Sequence, residues 1–521
     1  MSPAMKQAVR FDASRRVFLR HGAAFSALAG AGAPLALNLA ALGSAHAQAA
    51  GEYRALVCIF LFGGNDAYNM VLPTDSGSFA NYTAVRNQAP DSIALMAPGT
   101  APNAAAAAGT PARLGGVLAI APANAQGRTF ALHPTMGSLR TLFDTDKRLA
   151  IVPNIGPLVI PTTKQQYGQS NHPKPASLFS HNDQQNTWQA LAPEGATQGW
   201  GGRLADMLMS RNAKPVFTAI SSSGSAVWLA GASVRQYQVS TNGAIRMGVD
   251  GSGRVYNSVD VGAAMQRIVS RARGTHVLEA DMAAVASRSL DAELALRSAL
   301  KPASDTLFGT PPASGTYNAN TDPRLMYANP LTGANAANPL AQQLQIVARM
   351  IDAASHTDVA ANRQVFFVSM GGFDTHDAQN RGQADLMARL AHGLAYFDAT
   401  LGLMGARNRV TTFTASDFGR TFTSNGDGTD HGWGSHHFVM GGAVRGGDLY
   451  GTFPVLGAKN ANNNNFDSSS DQLGNGALLP RTGVQQLGAT VGRWFGASDQ
   501  ELLDVFPRLN EFGSSDLGFM V

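Results

Sequence analysis

Three uninterrupted apolar runs, each followed by a short polar turn that contains an aspartate, constrain the fold more than any other feature of this sequence. The runs are 55–62, 364–370 and 410–415, and the aspartates that follow them are Asp66, Asp374 and Asp417. Apolar runs rich in aromatic and β-branched residues are typical of strands buried on both faces, as in parallel sheets. We therefore predict that these runs form strands of a mostly parallel central sheet.

Helical patterns alternate with the predicted strands. Apolar residues recur at spacings of three and four in the segments 136–142, 204–209, 263–300, 340–354 and 384–403. Gly274 interrupts the longest segment, which is better described as two helices. Strands that alternate with helices predict an α/β fold, with helices packed on both faces of the sheet.

Histidines are concentrated close to two of these aspartates. The histidines between residues 376 and 437 are His376, His392, His431, His436 and His437. Ligands bind beyond the carboxyl ends of strands in open α/β sheets, and mixed carboxylate and imidazole ligands suit Zn, Mn or Fe better than Ca. Each residue alone is better explained as part of a turn, as a helix cap or by a structural hydrogen bond, but together they predict a polar site that could hold a metal. His392 lies in a helical pattern and is not expected to be a ligand.

Two further side chains have both a structural and a catalytic interpretation. Ser180 begins a polar segment that predicts the start of a helix. Its hydroxyl could cap that helix, or it could act as a nucleophile beside a metal, with the helix end stabilising an anion. Arg420 follows Asp417 closely and could hold an anionic group in a bidentate contact, or form a surface ion pair.

The basic excess of the chain lies in residues 1–47. This segment contains five of the 39 Lys and Arg residues and one of the 35 Asp and Glu residues, so residues 48–521 contain 34 of each sign. A nucleic-acid surface needs a clustered basic excess. No nucleic-acid partner is therefore expected.

The N-terminal segment predicts export by the twin-arginine route. Arg15 and Arg16 precede a Gly- and Ala-rich run from residue 22 to residue 42, and Ala45-His46-Ala47 is a small-x-small cleavage site. An amphipathic or transmembrane helix is the alternative. We expect the twin-arginine export machinery to be a partner, the mature protein to be periplasmic or secreted, and the rest of the chain to contain no membrane span.

Residues 48–521 are expected to form one domain with surface insertions. Segments near 101–111, 304–338 and 459–475 are rich in Ala, Pro, Gly, Asn or Thr, a composition typical of loops. The single cysteine, Cys58, excludes an internal disulfide and is predicted to be a buried core residue.

Short motifs along most of the mature chain resemble a known family. They are FGGND at 62–66, LHP at 132–134, GWGGR at 199–203, FDTH at 373–376, SDFGRT at 416–421 and WFG at 494–496. They are similar to bacterial twin-arginine-exported proteins grouped as domain of unknown function 1501, which are placed with the alkaline phosphatase and sulfatase superfamily.

This resemblance implies an alkaline phosphatase-like three-layer fold and, in catalytic members, two divalent metal ions beside a nucleophile. By position, it implies Ser180 as the nucleophile and, as metal ligands, Asp66, Asp374, His376, Asp417 and either His431 or His436. Two positions depart from the superfamily pattern: Phe418 replaces a histidine after Asp417, and only Thr375 separates Asp374 from His376. One metal, or none, is also compatible with these departures.

The resulting hypothesis is an exported hydrolase of phosphate or sulfate esters that depends on a divalent metal such as Zn, Mn, Ca or Mg. The substrate itself is not identified by any motif. The alternative is a non-catalytic exported protein of the same fold that binds a partner or a cell-surface polymer.

Overall fold

A mixed β-sheet of nine strands runs through the computed structural model, which describes residues 52–245, 249–250, 252–271, 274 and 276–521. Residues Tyr53–Val521 form one compact unit. The predicted export segment, 1–47, lies outside the described residues. Every structural statement below therefore refers to the described part of the chain.

The three predicted strands lie side by side in this sheet. They are β1 (Arg54–Leu61), β11 (Arg363–Met370) and β12 (Val410–Ser416). β1 pairs in parallel with both neighbours, and its last residue, Leu61, is level with Met370 and Ser416. The turns after these strands therefore leave the sheet at the same edge, as the sequence predicts.

The sheet order is β16-β5-β15-β12-β1-β11-β6-β7-β8. Five neighbouring pairs are parallel and three are antiparallel, so the sheet is mixed but mostly parallel. The remaining strands of this sheet are β5 (Leu149–Gly156), β6 (Ala219–Ser221), β7 (Tyr237–Ser240), β8 (Gly243–Ala244), β15 (Ser435–Met440) and β16 (Thr482–Gly483). Smaller antiparallel sheets contain β2 (Val71–Pro73), β3 (Leu118–Ile120) and β4 (Phe130–Leu132), then β9 (Met326–Ala328) with β10 (Asn335–Ala337), and β13 (Arg420–Ser424) with β14 (Thr429–His431).

Helices cover both faces of the large sheet. They are α1 (Ser76–Arg86), α2 (Pro111–Leu114), α3 (Gly137–Asp144), α4 (Lys164–Tyr167), α5 (His181–Ala190), α6 (Trp200–Leu208), α7 (Val259–Val269), α8 (Val277–Ala299), α9 (Pro339–Ala353), α10 (Gln379–Leu403), α11 (Val484–Phe495) and α12 (Asp499–Val505). The predicted helices are all present. The segment 263–300 is indeed two helices, separated around Gly274.

Alternate residues of β1 enter two different hydrophobic cores. Val57 and Ile59 pack in one core with side chains of α3, α9 and α10. Cys58 and Phe60 pack in the other core with side chains of α6, α11 and α12. Cys58 is 1% exposed, which confirms its predicted burial. Burying a large apolar side chain stabilises the folded state by about 1.5–3 kcal/mol. The two cores therefore fix the position of β1 and of the turn that follows it.

None of the described helices combines the length and the apolar character needed to cross a bilayer. The expected insertion near 304–338 contains the β9–β10 ladder, and the segment near 101–111 leads into α2.

Candidate metal centre

Asp374 reaches the edge of the sheet through a close approach of two loops. The amide N–H of Phe373 donates to the carbonyl of Phe62 at 3.1 Å, which joins the turn after β11 to the turn after β1. Gly63 has a φ of +115°, and a Cβ at this position would lie 2.4 Å from the backbone nitrogen of Asp374. Only glycine fits such a backbone and such a contact. The motif after β1 therefore positions Asp374.

Three imidazoles converge on the carboxylate of Asp374. One ligand atom from each of His181, Asp374 and His431 lies within 4.8 Å of the others. Asp374 Oδ2 is 3.4 Å from His181 Nε2, and Asp374 Oδ1 is 3.3 Å from His431 Nε2. His376 Nε2 lies 2.9 Å from His431 Nε2 and 3.2 Å from Asp374 Oδ1. Two ligands of a tetrahedral ion with bonds of about 2.0–2.1 Å are about 3.3 Å apart, so the spacings within the group of His181, Asp374 and His431 suit one small divalent ion. His376 lies outside that group, beside His431 and Asp374.

The outer nitrogen of each imidazole faces an acceptor. His431 Nδ1 lies 2.7 Å from the carbonyl of Phe179, and His181 Nδ1 lies 2.8 Å from Asp417 Oδ2. His376 Nδ1 lies 3.3 Å from Asp430 Oδ1. A carbonyl can only accept, so Nδ1 of His431 donates and its Nε2 presents a lone pair to the cluster. Metal-binding histidines are held in this way, by an acceptor on the nitrogen that does not bind the ion.

The surroundings shift the pKa values of the three residues in different directions. The hydrogen bond to Asp417 raises the pKa of His181, against burial, which lowers it. Burial acts to raise the pKa of Asp374, but the hydrogen bond and charge of Arg420 outweigh it, and the pKa falls below its usual value. Burial is the main cause of the lowered pKa of His431. Asp374 is therefore an anion, and His431 is neutral at pH 7.

Arg420 supports the cluster from inside the protein. Its side chain is completely buried, and Nη1 donates to Asp374 Oδ1 at 2.6 Å. The guanidinium also donates to the carbonyls of Gly63 and Thr429. Arg420 begins β13, directly opposite His431 on β14. The structure therefore places Arg420 as a buried support for Asp374, and not as a surface ion pair.

Asp66 is not a member of the cluster. It is completely buried and forms a bidentate ion pair with Arg86, at 2.6 and 3.0 Å. Gln379 Nε2 donates to Asp66 Oδ2 at 2.6 Å, and the amide of Tyr68 donates to Asp66 Oδ1 at 3.1 Å. These four contacts occupy both carboxylate oxygens. In this arrangement Asp66 ties α1 and α10 to the turn after β1, and it has no free lone pair for a metal.

Asp417 contacts the cluster only through His181. Its Oδ2 accepts hydrogen bonds from His181 Nδ1 and from Gln185 Nε2, both at 2.8 Å. Its Oδ1 is buried and has no hydrogen-bond partner among the described residues. Phe418, the departure from the superfamily pattern, packs its ring 4.9 Å from that of His181 and 4.6 Å from that of His431. Both residues therefore orient the imidazoles.

His436 lies in the core, away from the cluster. It is completely buried on β15, where its Nδ1 accepts the amide N–H of Asn154 at 3.0 Å and its ring packs 4.7 Å from that of Phe453. Burial lowers the pKa of His436 to about 3. Of the two late histidines that the resemblance offers, the structure brings His431 to the cluster. His392 lies within α10, as predicted.

Ser180 occupies the N-cap position of α5, but its side chain caps no backbone N–H. The capping interpretation of its hydroxyl is therefore wrong. Phe179, just before it, has a φ of +74° and supplies the carbonyl that holds His431. His181, just after it, belongs to the cluster. Ser180 thus lies between two residues that build the cluster.

Sequence reasoning did not predict the roles of His181, Gln185 and the carbonyl of Phe179. His181 follows Ser180 directly, which was a usable signal, because a histidine at a helix start beside a candidate nucleophile deserves testing as a ligand. Its contact with Asp417 spans 236 residues of sequence. No spacing rule connects residues so far apart.

Comparisons with known proteins identify the family of this chain. Residues 53–505 match the family described as "Protein of unknown function (DUF1501)". No curated protein matches the chain. Because the family match covers most of the sequence, the chain belongs to the DUF1501 family.

Proposed function

We propose that this protein is an exported hydrolase that uses one divalent metal ion to cleave a phosphate or sulfate ester. One observation carries the proposal. The Nε2 atoms of His181, His376 and His431 surround the carboxylate of Asp374, while their Nδ1 atoms face acceptors. Lone pairs brought so close together repel one another unless a cation or a proton lies between them.

The donor set indicates the kind of metal. Three imidazoles with one carboxylate suit Zn or Mn better than Ca or Mg, which prefer oxygen ligands. A bound divalent ion would supply Lewis-acid stabilisation of the charge that develops on the ester oxygens. We propose one ion, because Asp66 is held by Arg86 and one group of ligand atoms, that of His181, Asp374 and His431, is found among the described residues.

The residues around this ion have distinct roles in the proposed reaction. Arg420 keeps Asp374 ionised and in place. Ser180 offers a hydroxyl that caps no backbone N–H, unlike Ser258 and Ser498, whose side chains cap α7 and α12. The N-terminus of α5 presents backbone N–H groups that favour an anion. These features support Ser180 as the nucleophile.

We also propose that the protein has an alkaline phosphatase-like fold and is exported by the twin-arginine route. The mostly parallel sheet, with helices on both faces and aspartates beyond its strand ends, supports an alkaline phosphatase-like fold. The Arg15-Arg16 pair before an Ala-rich run supports twin-arginine export to the periplasm or the medium.

A non-catalytic binding protein is the second candidate. The observation that favours it is the ion pair of Asp66 with Arg86, because it occupies a position that the superfamily resemblance assigns to a metal ligand. Such a protein would keep the fold and the metal but turn over no ester.

Hydrolysis of 4-nitrophenyl phosphate and 4-nitrophenyl sulfate by the natively exported protein tests the proposal. We expect turnover of at least one ester, and at least a ~100-fold loss in His431→Ala. His356→Ala, a change at an exposed histidine, is the matched control and should retain full activity. Turnover of neither ester by a metal-loaded protein would contradict the hydrolase and favour the binding protein.

A further inference from the structure

A cavity of about 470 Å³ lies beside the C-terminal half of α5. Its apolar wall includes Leu158, Ala190, Leu191 and Phe506. Pockets that bind small molecules have volumes of about 300–1,000 Å³ and mostly apolar walls with a few polar groups. The cavity is therefore large enough for a small organic ligand.

Every charged side chain that lines this cavity is basic: Lys174, Arg203 and Arg508. Arg508 pairs with Glu511 at 3.3 Å, and Lys174 donates to the carbonyls of Tyr167 and Gln169 at 2.9 and 3.2 Å. Arg203 has one side-chain hydrogen bond among the described residues, to the carbonyl of Ala190.

Arg203 carries a charge that the described part of the chain does not neutralise. Its Nη2 donates to the carbonyl of Ala190 at 3.2 Å, but its Nε is buried and has no hydrogen-bond partner among the described residues. It lies in the first turn of α6, where the helix dipole disfavours a cation. Burial lowers the pKa of Arg203, and no carboxylate acts against this effect. A cation in such a place is stabilised by an anion.

Gln485 adds an unused acceptor to the same wall. It is 4% exposed, and its Nε2 donates to the carbonyl of Leu158 at 2.6 Å. Its Oε1 is buried without a hydrogen-bond partner among the described residues. Both unpartnered atoms, Nε of Arg203 and Oε1 of Gln485, lie behind the surface of the wall, so a ligand in the cavity would meet Arg203 at its Nη atoms.

We propose that this cavity binds an amphipathic carboxylate. The apolar body of the ligand packs against Leu158, Ala190 and Phe506, and its carboxylate accepts hydrogen bonds from the guanidinium of Arg203. A guanidinium with free donors matches the two oxygens of a carboxylate. The site is independent of the proposed hydrolase activity, because none of its lining residues belongs to the metal cluster.

Isothermal titration calorimetry with decanoate, on the exported protein, tests this proposal. We expect saturable binding of about one decanoate per chain, and at least ~10-fold weaker binding of the uncharged decanol. Arg203→Gln should weaken decanoate binding at least ~10-fold without changing decanol binding. Arg140→Gln, at an exposed arginine of α3, should change neither.

Three results would overturn the proposal: no saturable decanoate binding, equal binding of decanol and decanoate, or unchanged decanoate binding by Arg203→Gln. If Arg203→Gln does not fold, Arg203→Lys is tested in its place, because it keeps the positive charge but lacks the planar guanidinium. It should weaken decanoate binding about threefold or more, and an unchanged affinity of a folded Arg203→Lys protein would contradict the assignment.

Discussion

Asp417 Oδ2 lies 2.8 Å from Nδ1 of His181, although 236 residues separate the two in the sequence. This contact fixes the imidazole so that Nε2 points at Asp374, 3.4 Å away. A carboxylate, a histidine and a metal position in line form an arrangement that orients the ligand and raises its basicity. The turn after β12 therefore supports the proposed metal centre from outside, through a residue on α5.

Replacing Asp417 with asparagine should weaken metal binding without removing a ligand. Asparagine can still accept from His181, but it lacks the charge, so we expect about a 10–100-fold loss of metal affinity. Competition with a chromophoric chelator measures this loss. Asp91→Asn, at an exposed aspartate, is the control. An unchanged metal affinity in Asp417→Asn would contradict the claim that Asp417 supports the metal site through His181.

Replacing Asp66 with asparagine should reduce stability while leaving the metal site intact. Asp66 and Arg86 are both completely buried, and breaking such a pair leaves an uncompensated charge, which costs about 3–5 kcal/mol. Urea denaturation measures the change. Glu511→Gln, which breaks the exposed pair with Arg508, should cost less than about 1 kcal/mol. If folded Asp66→Asn bound no metal, Asp66 would be a ligand after all.

Replacing Ser180 with alanine should abolish turnover at almost no cost in stability. The hydroxyl of Ser180 caps no backbone N–H, so we expect a change below about 0.5 kcal/mol in the free energy of unfolding. Ser498→Ala is the comparison, because the side chain of Ser498 caps α12. We expect this variant to lose about 1 kcal/mol in the free energy of unfolding and to retain turnover. Paired denaturation and ester hydrolysis assays compare the two. Substantial turnover by Ser180→Ala would exclude the serine as nucleophile.

The protein should lose stability as the pH falls below 6.5. Burial lowers the pKa of His133, His436 and His437 to about 3 in the folded state. Between pH 6.5 and 3 the unfolded chain therefore binds more protons, and stability decreases toward low pH by up to about 1.4 kcal/mol per pH unit for each histidine. Urea denaturation with a chelator at pH 7 and pH 5 should show a decrease of at least about 2 kcal/mol. Equal stability at both values would contradict the burial of these groups.

The sequence predicts the framework of the site better than its contacts. The runs 55–62, 364–370 and 410–415 are buried on both faces, so their composition alone identifies central strands and a shared edge. Partners are harder to predict, because they come from distant parts of the chain. Arg86 neutralises Asp66 from the end of α1, and His181 contacts Oδ2 of Asp417 from the start of α5. No pattern in the sequence near either aspartate indicates its partner.

The choice between His431 and His436 shows the same limit. Both follow the predicted strands closely in sequence, and both are flanked by glycines and polar residues. The outcome depends on position in the fold: His431 ends β14 opposite Arg420, whereas His436 is completely buried inside β15, where the pairing with β5 is irregular. Register and burial separate a ligand from a core residue here, and neither can be read from residue type.

Metal content after equilibrium dialysis, measured by mass spectrometry on the exported protein, tests the central claim most directly. We expect about one Zn or Mn ion per chain in the unmodified protein and in His356→Ala, and less than about 0.2 in His431→Ala. Less than about 0.1 ion of any divalent metal in the unmodified protein would contradict the claim. An unchanged metal content in His431→Ala would contradict it equally.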